Sequence, residues 1–246
     1  MSSDIASIVG DLYGRLCCEL REDDSFLAKD SDSKLPDLVI SDLVTYIELL
    51  EGWSAKMDLI SPCTTTQLIE RHVIDSLAMC KMWRIIASGL QLESGLCIDI
   101  GSGAGLPGIV FAILYRSQRV VLCEPRKKRS HFLLEVRRKL NLENVEIANY
   151  EMRALVDFFR GKANLVTSRA LGQEKLFLTT AAALLTANGH VIQMVGPNWK
   201  CAHTANELLS LGLSFKATEH YRLPITGAAH ALAICTRSQP TILAGS

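Results

Sequence analysis

The segment Cys97-Ile98-Asp99-Ile100-Gly101-Ser102-Gly103-Ala104-Gly105-Leu106-Pro107-Gly108 constrains the fold more than any other part of the chain. An apolar run enters a glycine-rich turn, and a proline then opens the next helix. Proline is favoured in a helix's first turn because its missing N–H is not needed there. Glycines allow positive φ and a close approach of backbone to ligand. Gly103, Gly105 and Gly108 satisfy G-x-G-x-x-G, which alone is a weak signal. Glu124 strengthens it, because it ends the next apolar run about twenty residues on, where a carboxylate grips ribose hydroxyls. Asp99, two residues before Gly101, stands at the tip of the first strand. A carboxylate there disfavours a pyrophosphate and suits a ligand carrying an ammonium and a sulfonium. These residues point to S-adenosylmethionine rather than a dinucleotide.

From about residue 95 short apolar runs alternate with helical stretches. Strands are predicted at 96–100, 120–124, 145–148, 165–168 and 191–195. Helices are predicted at 107–115, 127–140, 152–159, 174–185 and 199–211. Such a βαβα rhythm implies a parallel sheet covered on both faces. The end differs. Segments 213–221 and 230–237 read as strands joined through Pro224 and Gly227, with no room for a helix between them, so they should pair antiparallel. The fold class is therefore α/β: a Rossmann-like, seven-stranded, mostly parallel sheet of the class I methyltransferase kind, at 93–246.

Residues 1–92 read as a helical extension of that unit. Ile5, Ile8, Leu12, Leu16 and Leu20 recur at steps of three and four, and so do Val39, Ile40, Leu43, Ile47, Leu50 and Trp53. A polar linker at 30–34 separates them. A third helix begins at Thr64, whose spacing to Gln67 is that of a capping box, and Gly89 ends it.

Composition narrows the rest. The 26 basic and 26 acidic residues cancel, so any RNA site has to be a local patch. The densest basic clusters are Arg126–Arg129 and Arg137–Lys139; a solvated helix face and a phosphate track are both open readings. The eight cysteines include no C-x-x-C pair and read as small buried hydrophobes in a reducing compartment, with no metal. Neither a signal peptide nor a membrane-length apolar run is evident, so the expectation is a cytoplasmic protein, off the membrane.

Four stretches carry a resemblance to a known family: Met57–Pro62 with Arg71–Leu77; Asp99–Gly108; Arg126-Lys127-Lys128 with Phe132, Leu133 and Val136; and Ser168-Arg169-Ala170. Over about residues 40–200 the chain resembles the bacterial small-subunit ribosomal RNA methyltransferase G family, also called glucose-inhibited division protein B. The resemblance implies methylation of guanine N7 at the 527 position of 16S ribosomal RNA, with S-adenosylmethionine as donor and the RNA or small ribosomal subunit as partner; a monomer is the expectation for the enzyme itself. It implies that Gly101, Gly103, Leu106 and Glu124 hold the cofactor, joined by Asp99 and Gly105 of the same loop. Met152 and Arg153 would flank the adenine, and Arg169 would face both cofactor and methyl-transfer pocket. His72 and Asp75, with Arg169, are the catalytic candidates. Arg71, Arg126, Lys127, Arg137 and Arg138 are the RNA-contact candidates. A local Arg71–Asp75 ion pair is the competing reading of the helical segment. The chain departs from the family pattern at Glu151 and Arg153, where the order of charges is reversed, and at Val195, where a lysine is usual. A small-molecule methyltransferase, an NAD-linked oxidoreductase and a catalytically lapsed ribosome-binding protein are the alternative functions.

Overall fold

The computed structural model describes residues 2–22, 34–90 and 94–238. At its centre is β1 (Leu96–Ile100), whose five residues are all buried. It pairs in parallel with β2 (Arg119–Cys123) on one side and β4 (Ala163–Arg169) on the other. β3 (Val145–Ala148) extends one edge and β5 (Leu185–Val195) the other, both parallel. β7 (Ala229–Arg237) inserts antiparallel beside β5, and β6 (Leu213–Arg222) closes the sheet in the order β3-β2-β1-β4-β5-β7-β6. The terminal antiparallel pair and the mostly parallel sheet agree with the sequence reading.

Burial on both faces explains why the strands read as continuous apolar runs rather than alternating ones. Cys97 packs into one layer while Leu96, Ile98 and Ile100 pack into the other. The first layer holds α5 (Gly108–Leu114), α6 (Lys127–Lys139) and the N-terminal helices α1 (Ser2–Glu22) and α2 (Asp37–Ser54). The inner face of α6 is Phe132, Leu133 and Val136, each fully buried; such side chains contribute about 1.5–3 kcal/mol apiece. The second layer holds α7 (Leu155–Phe159), α8 (Glu174–Leu184) and α9 (Ala205–Ser210). The side chain of Leu20, the greater part of the 30–34 linker and the proposed boundary between residues 92 and 93 lie outside the described residues.

Local departures have local causes. The predicted helix at 199–211 is only α9, because Thr204 caps its start: the Thr204 hydroxyl accepts from the Glu207 N–H while Glu207 accepts from the Thr204 N–H. The helix predicted to reach residue 185 stops at Leu184, and Leu185 opens an eleven-residue β5. The stretch 152–159 begins as a 3-10 turn at Met152–Ala154 before α7.

The third N-terminal helix begins with the expected capping box at Thr64 and Gln67. It is interrupted: α3 (Thr65–Leu68) runs into a π-helical turn, Ile69–Ile74, before α4 (Asp75–Ser88) resumes. Widened turns of this kind re-aim side chains and recur at functional sites. Here the turn sends Glu70 and Asp75 inward. Glu70, 1% exposed, accepts from the backbone N–H groups of Ile225 and Thr226 at 2.6 and 2.8 Å. Asp75 reaches the β6–β7 pair as well. The helical extension is thus tied to the last two strands by buried carboxylates.

Candidate functional site

The loops that follow β1, β2, β3 and β4 converge at the carboxyl edge of the sheet, where ligands of such folds bind. They enclose a cleft of about 1040 Å³. Its floor is the glycine loop. Gly101 (φ 76°) and Gly103 (φ 56°) take backbone conformations that side chains resist, and a Cβ on Gly101 would lie 2.9 Å from Leu171. The loop is fixed from behind. The Cys123 carbonyl accepts from the N–H groups of Gly101 and Ser102. Buried Tyr46 of α2 donates to the Ala104 carbonyl at 2.8 Å, and burial raises its pKa far enough to keep the hydroxyl protonated.

Glu124 stands where sequence placed it, at the cleft wall beyond β2. One carboxylate oxygen accepts from Gly103 N–H at 2.9 Å and the other from Arg126 N–H at 3.0 Å. Its carbonyl accepts from the Ser130 hydroxyl and the Asn149 amide. A carboxylate held by single bonds at each oxygen keeps lone pairs for a diol.

Asp99 requires a correction. It is fully buried behind the loop rather than lining the cleft, because its strand position points into the helix layer. Its Oδ2 accepts from Gly108 N–H at 3.1 Å, and burial pushes its pKa up to about 7. A Cβ on Gly108 would fall 2.7 Å from that oxygen and 2.3 Å from Leu122, so glycine permits the contact. Gly105 likewise lies off the cleft. Its φ is 94°, and a Cβ there would meet Ile109 at 2.5 Å, so it serves helix–loop packing.

On the loop after β3, Glu151 and Met152 line the cleft, whereas Arg153 is exposed and turned away from it. The last residue of β4, Arg169, and the loop after it, with Ala170 and Leu171, complete this side. Ala170 has φ 52°, a left-handed conformation that costs a non-glycine residue of order 1 kcal/mol. The helical extension closes the opposite wall with Leu59–Pro62 and His72. His72 is depressed to about 4, first by burial and then by the Arg169 guanidinium, and is therefore neutral near pH 7.

Asp75 and Arg169, expected in the site, do meet, but not as a local helical pair. The π-helical turn rotates Asp75 away from Arg71 and into the core. There Asp75 Oδ1 accepts from the Tyr221 hydroxyl at 2.5 Å and lies 2.9 Å from His230 Nδ1. Asp75 Oδ2 lies 3.4 Å from Arg169 Nη2. Arg169 also donates to the Arg71 carbonyl at 2.7 Å. Burial, and next the Asp75 charge, push the Tyr221 pKa well up, so the phenol stays a donor. Tyr221 and His230 were not predicted. They lie some 150 residues beyond Asp75, and no local spacing signals the contact.

The basic residues separate by helix direction. Arg126 and Arg129 line the cleft. Lys127 and Arg71 are exposed outside its wall, Lys127 on the first turn of α6. Arg137 and Arg138 sit at the far end of α6, roughly 18 Å along the helix from Arg126, at the amino edge of the sheet. Arg138 there holds Glu135 through Nε and Nη2 at 3.0 and 2.7 Å. A crossover helix runs back against its strands, so one end only can border the cleft. All eight cysteines are free; five are buried, while Cys63 and Cys201 are half-buried and Cys18 is exposed, so packing does not account for them all.

A parallel sheet ending in an antiparallel β7, with a glycine loop after β1 and a carboxylate after β2, defines a class I S-adenosylmethionine-dependent methyltransferase. Solved structures share this fold. A methyltransferase from Geobacter sulfurreducens aligns with TM-score 0.52 and 16% identity over 79% of this chain and 89% of its own. The 1,6-didemethyltoxoflavin-N1-methyltransferase of Burkholderia thailandensis aligns with TM-score 0.53 and 12% identity over 85% and 93%. The family model for rRNA small subunit methyltransferase G matches residues 39–223, and the chain belongs to that family. Among its curated relatives, the ribosomal RNA small subunit methyltransferase G of Desulfotalea psychrophila is 33% identical, covering 78% of this chain and 87% of its own. That of Nocardioides sp. is 34% identical over 68% of each.

Proposed function

We propose that this protein transfers a methyl group from S-adenosylmethionine to N7 of guanine at the 527 position of 16S ribosomal RNA, in the free RNA or the small ribosomal subunit. The observation that carries the reading is the cleft itself. It gathers Gly101, Gly103, Leu106, Glu124, Met152, His72 and Arg169 from five separate segments of a chain that belongs to this family. The donor supplies an electrophilic methyl: the N7 lone pair forms the new N–C bond, the C–S electrons stay on sulfur, and the positive charge passes to the purine. No proton leaves N7, so no general base is required, and alignment does most of the work.

The residues divide that work. Gly101 and Gly103 would border the methionine end of the donor, Glu124 would take the ribose hydroxyls, and Met152 would pack on the adenine. Arg169 faces the transfer point. Asp75 positions Arg169 rather than touching substrate, and neutral His72 borders the cleft without adding to the positive charge of its arginines. Arg71, Arg126 and Lys127 meet phosphates at the rim. The enzyme acts as a monomer in the cytoplasm and uses no metal ion, since displacement at a sulfonium carbon needs no Lewis acid. No described helix is long and apolar enough to cross a membrane. Residues 1–92 and 93–246 work as one unit, which the buried Glu70 and Asp75 ties support. The test is methyl transfer to small subunits that lack the mark. 7-Methylguanosine at a single site supports the reading; transfer to another atom or to no RNA removes it.

A further inference from the structure

A second cavity, of about 420 Å³, adjoins the first and shares Arg169, Ala170, Leu171 and Gly172 with it. These shared residues form the partition between the two spaces. Pockets for small ligands run from about 300 to 1,000 Å³, so this one suits a single nucleoside. Its remaining walls combine a flat ring, Trp199, with four polar side chains: Glu174 and Gln193, and the Asp75 and His230 pair that already bond to each other. Glu174 is unusual among them. Its Oε1 is buried and has no hydrogen-bond partner, a state that costs free energy unless a ligand relieves it. The partition is also held in a costly backbone conformation at Ala170, φ 52°, next to the anchored Arg169. Strain of that kind persists where surroundings over-determine it, commonly beside ligands.

We infer that this cavity receives the acceptor guanine, with Glu174 accepting from its N1–H and N2–H and Trp199 stacking on its ring. The inference rests on the guanine-N7 reading above and deepens it. A carboxylate is an acceptor only. Guanine alone among the four bases presents two adjacent N–H donors on one edge of its ring pair. Adenine would turn a lone pair toward the same oxygens. N7 lies across the purine from N1 and N2, so a base gripped at Glu174 directs N7 toward the edge at which this cavity adjoins the donor cleft. A base enters such a pocket by swinging out of its stack, which loop nucleotides do at low cost.

The experiment compares reconstituted small subunits carrying guanosine or inosine at the target position. Inosine keeps N7 and N1–H and lacks the 2-amino group. Wild-type kcat/KM falls about 10- to 100-fold on inosine, as expected for one lost charge-assisted hydrogen bond. Glu174→Ala loses a comparable factor on guanosine, yet its own inosine penalty shrinks below about threefold. Glu174→Gln keeps the side chain's size and loses discrimination in the same way. Melting temperature and S-adenosylmethionine affinity of both variants stay at wild-type values, which separates a base contact from a folding defect. An undiminished inosine penalty in Glu174→Ala overturns the pocket assignment alone. A wild-type enzyme that binds the donor and methylates no guanosine subunit overturns the function and the pocket together.

Discussion

Replacing Asp75 by alanine tests whether the link between the helical extension and the catalytic edge is structural, catalytic or both. Asp75 is 2% exposed and takes three neighbours: Tyr221, His230 and Arg169. Alanine leaves the Tyr221 hydroxyl in a buried site without its acceptor, at about 1–3 kcal/mol. The Arg169 side chain is 22% exposed and keeps the Arg71 carbonyl, so losing its longer ion pair adds about 1 kcal/mol. The sum is roughly 2–4 kcal/mol. A chain of this length loses about 2–4 °C of melting temperature per kcal/mol, which puts the fall at roughly 5–15 °C. Asp75→Asn retains an oxygen for Tyr221 and should lose about half as much. Calorimetry or circular dichroism measures this. In parallel, Arg169 freed of its brace lowers kcat about tenfold while S-adenosylmethionine affinity stays within about twofold. If both variants melt within about 2 °C of wild type, the buried cluster does not stabilise the molecule and the reasoning fails.

Other expectations follow from the same geometry. Glu124→Ala removes the ribose acceptor and orphans two backbone donors, so titration calorimetry should find S-adenosylmethionine binding about 10- to 100-fold weaker; unchanged affinity contradicts the assigned role. His72 has a folded pKa of about 4 against an ordinary value of 6.5. The unfolded chain therefore binds the extra proton between those values, and this residue's contribution to stability is lost as pH falls from 6.5 to 4. His72→Asn should gain on wild type over that window, read from denaturant melts at several pH values; a constant difference refutes the shift. Asp99 has the opposite sign, since its pKa is raised to about 7 and the folded state holds the proton. Its contribution worsens as pH rises from about 4 to 7, and Asp99→Asn should flatten that limb. Charge removal at Arg126 and Lys127 should weaken RNA binding and reduce its salt dependence. The same change at Arg137 and Arg138 should leave both within about twofold, because those residues border the opposite edge of the sheet.

The parts of the site that sequence makes legible are the local ones. Strand, glycine turn and helix follow one another between Leu96 and Leu114, and Glu124 ends the next strand, so chain order alone places the loop and the carboxylate together. The antiparallel ending was equally plain, because fewer than ten residues between the strands leave no room for a crossover. What the sequence conceals is direction and long-range contact. It does not show that Asp99 and Gly105 face the helix layer while Gly101 and Gly103 face the cleft, since one residue of backbone rotation decides between them. Nor does it show the π-helical turn at Ile69–Ile74, which converts a plausible Arg71–Asp75 surface pair into a buried link to Tyr221, His230 and Arg169. Arg137 and Arg138 looked like a continuation of the basic run at Arg126 only because sequence distance ignores where a crossover helix ends. Arg153 illustrates the same difficulty on a smaller scale, one residue beyond Met152 and on the other side of a 3-10 turn.

The central claim is that this cleft joins a methyl donor to one guanine of ribosomal RNA. Its most direct test incubates purified protein and labelled S-adenosylmethionine with small subunits lacking the modification, then digests the RNA and identifies the product by mass spectrometry. The account predicts 7-methylguanosine, about one per subunit, at a single position, formed about 10- to 100-fold more slowly by a Glu124→Ala enzyme at limiting donor. Label on another base or another atom of guanine, or no label while the donor binds, would contradict it.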